Sequence, residues 1–340
     1  MYKDKNLKAK FNLIKYRFII FLFFSLLILS NISCNDVNNK ENKISSIDVK
    51  IRVERFDKIF DSISESNIYD IKKKYSFLFP GNLSDDFWIN KSNDTIYNLL
   101  TKAVAKKFDN FEVIENNISH LFKHLKHEFP HINIPRIISV INNVDYENKL
   151  ILADSLLIIS IDSYLGINHS LYTGVPLFIK KDMDINYLIS NIAEKYSVET
   201  IKKYSERNFL SKIIFHGKQL YFKDIIMTHS SDEIKIGYSK DENTWANKNE
   251  LFIWQYIIEK QLLYDTDERL DDRFLLPSPF SKFYLEIDND SPGKIGQWIG
   301  WQIVRSYSNE FPDAKLVEIL DLPAEELFNK SKYKPRRIWQ

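Results

Sequence analysis

Ser291-Pro-Gly-Lys-Ile-Gly-Gln-Trp-Ile-Gly-Trp-Gln-Ile-Val-Arg-Ser-Tyr307 is the stretch on which the fold turns, because Trp298, Ile299, Trp301, Ile303 and Val304 cover more than one face of any helix it forms. A helix apolar on several sides belongs inside a core rather than on a surface. Gly296 and Gly300 stand one turn apart, which permits another backbone to come close. Ser291 is placed to cap the start, and Pro292 suits a first turn. The segment is therefore expected to be a central core helix. Trp298, Trp301 and Arg305 form its candidate binding surface should any of them reach solvent.

Outward from this helix, residues 185–209, 210–227, 242–263 and 314–330 repeat apolar side chains at helical spacing. Residues 56–74, 83–107 and 110–128 do the same nearer the start, with Pro80-Gly81 marking a turn. Strand signals are fewer. Ile47, Val49, Ile51 and Val53 alternate with Asp48, Lys50, Arg52 and Glu54, which predicts a half-buried strand over 47–54. Residues 134–142 and 149–161 are rich in Ile, Leu and Val and are separated by a polar segment, which predicts a pair of strands. The expected class is α+β, mostly helical with a small sheet.

At the other end, Lys3, Lys5, Lys8, Lys10, Lys15 and Arg17 precede an apolar run over residues 18–29 that ends shortly before Cys34, the only cysteine. As a helix this run would reach roughly 18 Å, too short for a ~30 Å hydrocarbon core and suited to the h-region of a secretory signal. Ser33 supplies a small residue before a cut. Residues 1–33 are thus expected to be a lipoprotein signal peptide, with the Cys34 thiol carrying the lipid that attaches the protein to a membrane. Asn31 departs from the aliphatic residue usual at that place. Residues 34–46, rich in Asn, Lys and Ser, read as a flexible tether, and residues 47–335 as the globular body.

With no second cysteine an intramolecular disulfide is excluded, so the body must rely on its core. A content of 44% hydrophobic and 14% aromatic residues suffices for that and excludes wholesale disorder. The balance of 47 basic against 46 acidic residues leaves a formal charge of +1, hence no sequence-wide field for nucleic acid.

His127-Glu128-Phe129-Pro130-His131 matches H-E-x-x-H, the spacing that sets two imidazoles one turn apart with a glutamate as general base. That chemistry needs a continuous helix. Pro130 lacks an N–H and clashes with the preceding turn, at a cost of about 3 kcal/mol, so the helix is expected to stop there. A zinc metallopeptidase using His127, Glu128 and His131 is the alternative function. His120 and His124 share a face that is expected to be solvated. The cluster from His229 to Glu233 reads as a turn and helix cap, and the acidic run from Asp265 to Asp272 as a solvated loop lacking the glycine of a calcium loop. Only 8 glycines occur, none in a phosphate-binding loop, and no cofactor is implied.

Several blocks resemble the gliding-motility lipoprotein GldB family of the Bacteroidetes. They are Gly217-Lys-Gln-Leu-Tyr-Phe-Lys-Asp224, Lys235-Ile-Gly-Tyr238, Leu262-Leu-Tyr-Asp-Thr-Asp267, Pro279-Phe-Ser-Lys-Phe-Tyr-Leu-Glu286 and the 291–307 helix itself, with Asp162-Ser-Tyr-Leu-Gly166 upstream. The resemblance implies a membrane-anchored lipoprotein of the cell envelope, facing the periplasm, with protein partners in the gliding apparatus. It also implies distant similarity to a predicted zinc-dependent protease family, whose metal helix would fall on residues 185–196. That segment holds Glu194 but no histidine, so a pseudo-protease without catalysis, acting as a scaffold, is the expectation. A peptide or cell-wall binding module that keeps the old groove is a second alternative.

Overall fold

A computed structural model of the chain describes residues 40–202 and 206–336. The signal segment, Cys34 and the first part of the tether lie outside the described residues. Two compact units are distinguished, Met1–Val49 and Lys50–Gln340. In the first, residues 40–45, within the stretch read as a flexible tether, are helical.

In the second unit one mixed sheet has the strand order β1-β2-β4-β3. Strand β1 (Val53–Arg55) runs parallel to β2 (Arg136–Val140), which runs parallel to β4 (Leu156–Ser160). Strand β3 (Leu150–Ala153) pairs antiparallel with β4. With 59% of the described residues helical beside this small sheet, the class is α+β.

The predicted strand over 47–54 shrinks to three residues because its partner ends. Val53 pairs with Ile137, so Ile51 would face Pro135, which has no N–H to extend a ladder. The second predicted strand, 149–161, is itself a hairpin. Ala153 pairs with Leu156, leaving Asp154-Ser155 as a two-residue loop, with Asp154 at a φ of 45°.

Helices α1 (Phe56–Asp61), α2 (Ile68–Lys74), α3 (Asp85–Ser92), α4 (Thr95–Lys107) and α5 (Glu112–Glu128) lie between β1 and β2. The single helix expected over 56–74 is broken by Asn67, whose side chain donates to the Ser62 carbonyl and accepts from the Ser64 N–H. Asp94 caps α4 through the N–H groups of Ile96 and Tyr97.

After β4 come α6 (Leu177–Lys180), α7 (Leu188–Thr200), α8 (Phe209–Ile226), α9 (Asp232–Ile236), α10 (Lys240–Lys248) and α11 (Glu250–Glu259). Then follow α12 (Arg269–Phe274), α13 (Ile295–Glu310), α14 (Leu316–Asp321) and α15 (Ala324–Ser331). Pro323 divides the last two by standing at the N-cap of α15.

Helices α8 and α13 cross backbone to backbone. A Cβ built on Gly300 would lie 1.8 Å from the Ile213 carbonyl oxygen, and one on Gly217 would lie 2.2 Å from the Gly300 carbonyl carbon. The expected close approach at Gly300 is thus met by a second glycine on α8. Trp298 and Trp301 are 1% and 0% exposed, so neither offers the binding surface held open for it. Ser291 does not cap the helix as expected. Its hydroxyl donates to the Ser281 or Asp288 carbonyl, and the helix begins only after Lys294.

Asp162, just past β4, is fully buried, and its carboxylate accepts the N–H groups of Asn142 and Val144. Those bonds hold Asn143 and Val144 at φ values of 53° and 57°. Burial pushes the Asp162 carboxyl from 3.8 up to about 6, with the Val144 and Asn142 bonds pulling the other way. The folded state therefore keeps this proton more tightly than the unfolded chain does. As pH rises from about 4 to about 6, the wild type should lose stability of order 3 kcal/mol relative to Asp162→Asn, at ~1.4 kcal/mol per tenfold change in proton affinity. Urea titrations of both proteins across that window test this, and a pH-independent difference would refute it. Glu54, held down from 4.5 to about 2 chiefly by its bond from Arg136, has the opposite sign: its stabilisation is complete above about 4.5 and is lost as pH falls towards about 2, so the two windows meet near pH 4.

Candidate functional site

A cavity of about 530 Å³ opens among α7, α8, the end of α9, the start of β3 and the turn ahead of α13. Each wall has a local reason to be there. Gly237 takes a φ of 77° at the end of α9, and its N–H and that of Tyr238 both return to the Glu233 carbonyl, which turns the chain into the cavity rim. The turn Pro292-Gly293-Lys294 is bolted from three sides. Ser281 Oγ donates to the Pro292 carbonyl at 2.6 Å and Tyr238 Oη to the Gly293 carbonyl at 2.7 Å, while a Cβ on Gly293 would lie 2.4 Å from the Ser278 carbonyl oxygen.

Lys294 follows at a φ of 60°, in the left-handed region that a side chain rarely adopts, at a cost of about 1–2 kcal/mol. Its ammonium donates to the Ile236 carbonyl at 2.6 Å, and its ion-pair radius holds no carboxylate among the described residues.

Lys223 is the buried cation of the opposite wall, at 3% side-chain exposure. It donates to Glu194 Oε2 at 3.0 Å, Ser190 Oγ at 3.1 Å and the Lys235 carbonyl at 2.9 Å. Ser190 and Glu194 stand one turn apart on α7, so the ammonium sits astride that face. The Glu194 carboxyl is held down to about 2, first by Lys223, against the opposing effect of burial, and further by Lys294 and Lys149. It is ionised at any physiological pH. Lys149 pairs with Asp182 and Lys181 with Glu242.

His216 also lines the cavity. Its Nδ1–H donates to Gln219 Oε1 at 3.0 Å, and burial holds the imidazole below its ordinary value, so it is neutral at pH 7 with Nε2 as an acceptor. Six lysines face four carboxylates around the cavity, a positive excess in a chain that is otherwise nearly balanced. Chemically the arrangement can hold an anion.

The sequence-derived candidates lie elsewhere. Helix α5 ends at Glu128, and a turn from the Phe129 carbonyl to the Ile132 N–H carries Pro130 and His131 beyond it. His127 Nδ1 sits 3.0 Å from Glu128 Oε1, and the two imidazoles of the motif share no helical face. His124, expected on a solvated face, is 1% exposed, with its ring 4.7 Å from that of His120. Arg305 grips Asp224 and Asp232 with bonds of 2.7–2.8 Å and stacks over Trp301 at 3.7 Å, a structural clamp rather than an open surface.

Lys149, Asp182, Lys223 and Lys294 were not singled out from sequence. A signal did exist: α8 is apolar nearly all round yet carries Lys212, Lys218 and Lys223, and buried lysines require partners. These are Asp271 for Lys212, the Leu320 and Leu322 carbonyls for Lys218, and Glu194 for Lys223.

The fold and cavity define an α+β body in which no described helix is long and apolar enough to cross a bilayer. The family of the gliding motility protein GldB matches residues 37–335, and the chain belongs to that family, which makes it a component of gliding motility. No curated protein and no solved structure matches the chain.

Proposed function

We propose that the protein is a lipid-anchored, non-catalytic binding component of the gliding machinery. Cys34 holds it to a bacterial membrane of the cell envelope, and the body faces the periplasm, where it meets protein partners. The observation that carries this reading is the family match over residues 37–335, which begins directly behind the one cysteine. The absence of catalysis is supported by Lys223, whose ammonium occupies the space beside Ser190 and Glu194 where a divalent cation held by that turn of α7 would sit. A metal and an ammonium cannot share such a place.

Labelled palmitate is expected to enter the wild-type protein in growing cells and not Cys34→Ser. A deletion strain is expected to stop spreading, and only the wild-type chain should restore it. Normal spreading of the deletion strain would sink the motility role, and label on Cys34→Ser would sink the anchor. Stoichiometric zinc lost on His127→Ala would overturn the non-catalytic reading.

The cavity itself favours the module reading over a purely passive scaffold, because a body that only bridges partners has no need of a charged cleft of this size.

A further inference from the structure

We propose that this cavity binds a small organic carboxylate, with the oxyanion held by Lys294 at the N-terminal end of α13 and the body of the ligand lying against Tyr187, Leu220 and Pro277. The proposal holds or fails independently of the lipid anchor and of the motility role.

Size is the first argument. About 530 Å³ lies within the range of small-molecule sites and far exceeds what a bare inorganic ion fills. Sign is the second. Lys149, Lys181 and Lys223 each have a carboxylate partner, whereas Lys294 has a backbone carbonyl alone and keeps two N–H donors for something else. The start of α13 adds its own positive end to that point. Third, Lys294 is fixed there by a strained backbone that Ser281, Tyr238 and Ser278 maintain. A solvated surface lysine would not need such support.

The same groups limit the ligand to one negative charge. The ionised Glu194 carboxylate shares the cavity and would repel a dianion, while one oxygen of a carboxylate can take the spare donors of Lys294. The apolar portions of the walls require an organic body to cover them, and neutral His216 offers an acceptor for a ligand N–H or O–H.

Calorimetry and thermal shift on the full mature chain in detergent would use acetate, benzoate, N-acetyl-alanyl-alanine, the same dipeptide as its C-terminal amide, and inorganic phosphate. The free-acid dipeptide is expected to bind saturably and its amide not. Lys294→Gln should weaken binding about tenfold or more, in line with loss of a charged hydrogen bond. Glu194→Gln should instead tighten it several-fold by removing a like charge, a gain that misfolding cannot produce. Equal binding of acid and amide, saturation by phosphate alone, unchanged affinity in Lys294→Gln, or no saturation by any carboxylate at millimolar concentration would each overturn the assignment.

Discussion

Gly300→Ala is expected to lower the unfolding free energy by at least about 3 kcal/mol and to leave little native protein at 37 °C. The added carbon would sit 1.8 Å from the Ile213 carbonyl oxygen and 2.5 Å from its carbon, both backbone atoms of a helix. Neither can swing aside as a side chain would, so α8 and α13 must move apart along the crossing that buries Trp298, Trp301 and Phe222. Gly217→Ala attacks the same contact from the other side. Gly81→Ala is the control: nothing lies within 4 Å of its added carbon, and the change should be neutral or slightly stabilising. Urea midpoints for Gly300→Ala and Gly81→Ala that agree within error would refute the close crossing.

Asp224→Asn is expected to cost about 3 kcal/mol. One carboxylate takes the indole N–H of Trp301 at 2.8 Å, the Arg305 guanidinium at 2.7 and 2.8 Å, and the Lys235 ammonium at 2.8 Å. Its side chain is only 14% exposed and that of Lys235 only 7%, so water cannot replace the lost charge. Asp232 continues to hold Arg305, which leaves Lys235 as the stranded cation. A double-mutant cycle with Lys235→Met should therefore recover about 1 kcal/mol or more. Additive losses would show that the Asp224 carboxylate does not serve Lys235.

How much of this was legible depends on the kind of signal. The 291–307 helix announced its central place because apolar side chains all around a helix leave no face for water, and Gly300 announced a close neighbour without saying which. Gly217 is that neighbour, 83 positions earlier, and no local pattern links the two. The alternation over 47–54 pointed to a strand of which only Val53 and Glu54 pair, because the ladder meets Pro135 just ahead of β2. The hairpin inside 149–161 was hidden because Asp154 and Ser155 interrupt the apolar run so briefly.

The site was harder to read. Its charges come from six separate segments, and a lysine on an apolar helix looks like a solvated interruption until its carboxylate is found on another element. Three blocks that resembled the gliding family, 217–224, 235–238 and 291–307, nevertheless contribute Lys223, Lys235 and Lys294 to the cavity walls. The H-E-x-x-H match misled only in its letters, since Pro130 already marked where the helix stops.

The distribution of the pairing partners along the chain has a consequence for its assembly. Every strand of the sheet is complete by Ser160, whereas the glycine crossing needs residues on both sides of position 217 and position 300. A growing polypeptide can thus settle its sheet while the second half is still being made, but the helical centre must wait for the last fifth to arrive. Until then α8 presents an uncovered oily surface with Lys218 still lacking the Leu320 and Leu322 carbonyls, the form in which the chain is most exposed to clumping and to proteases.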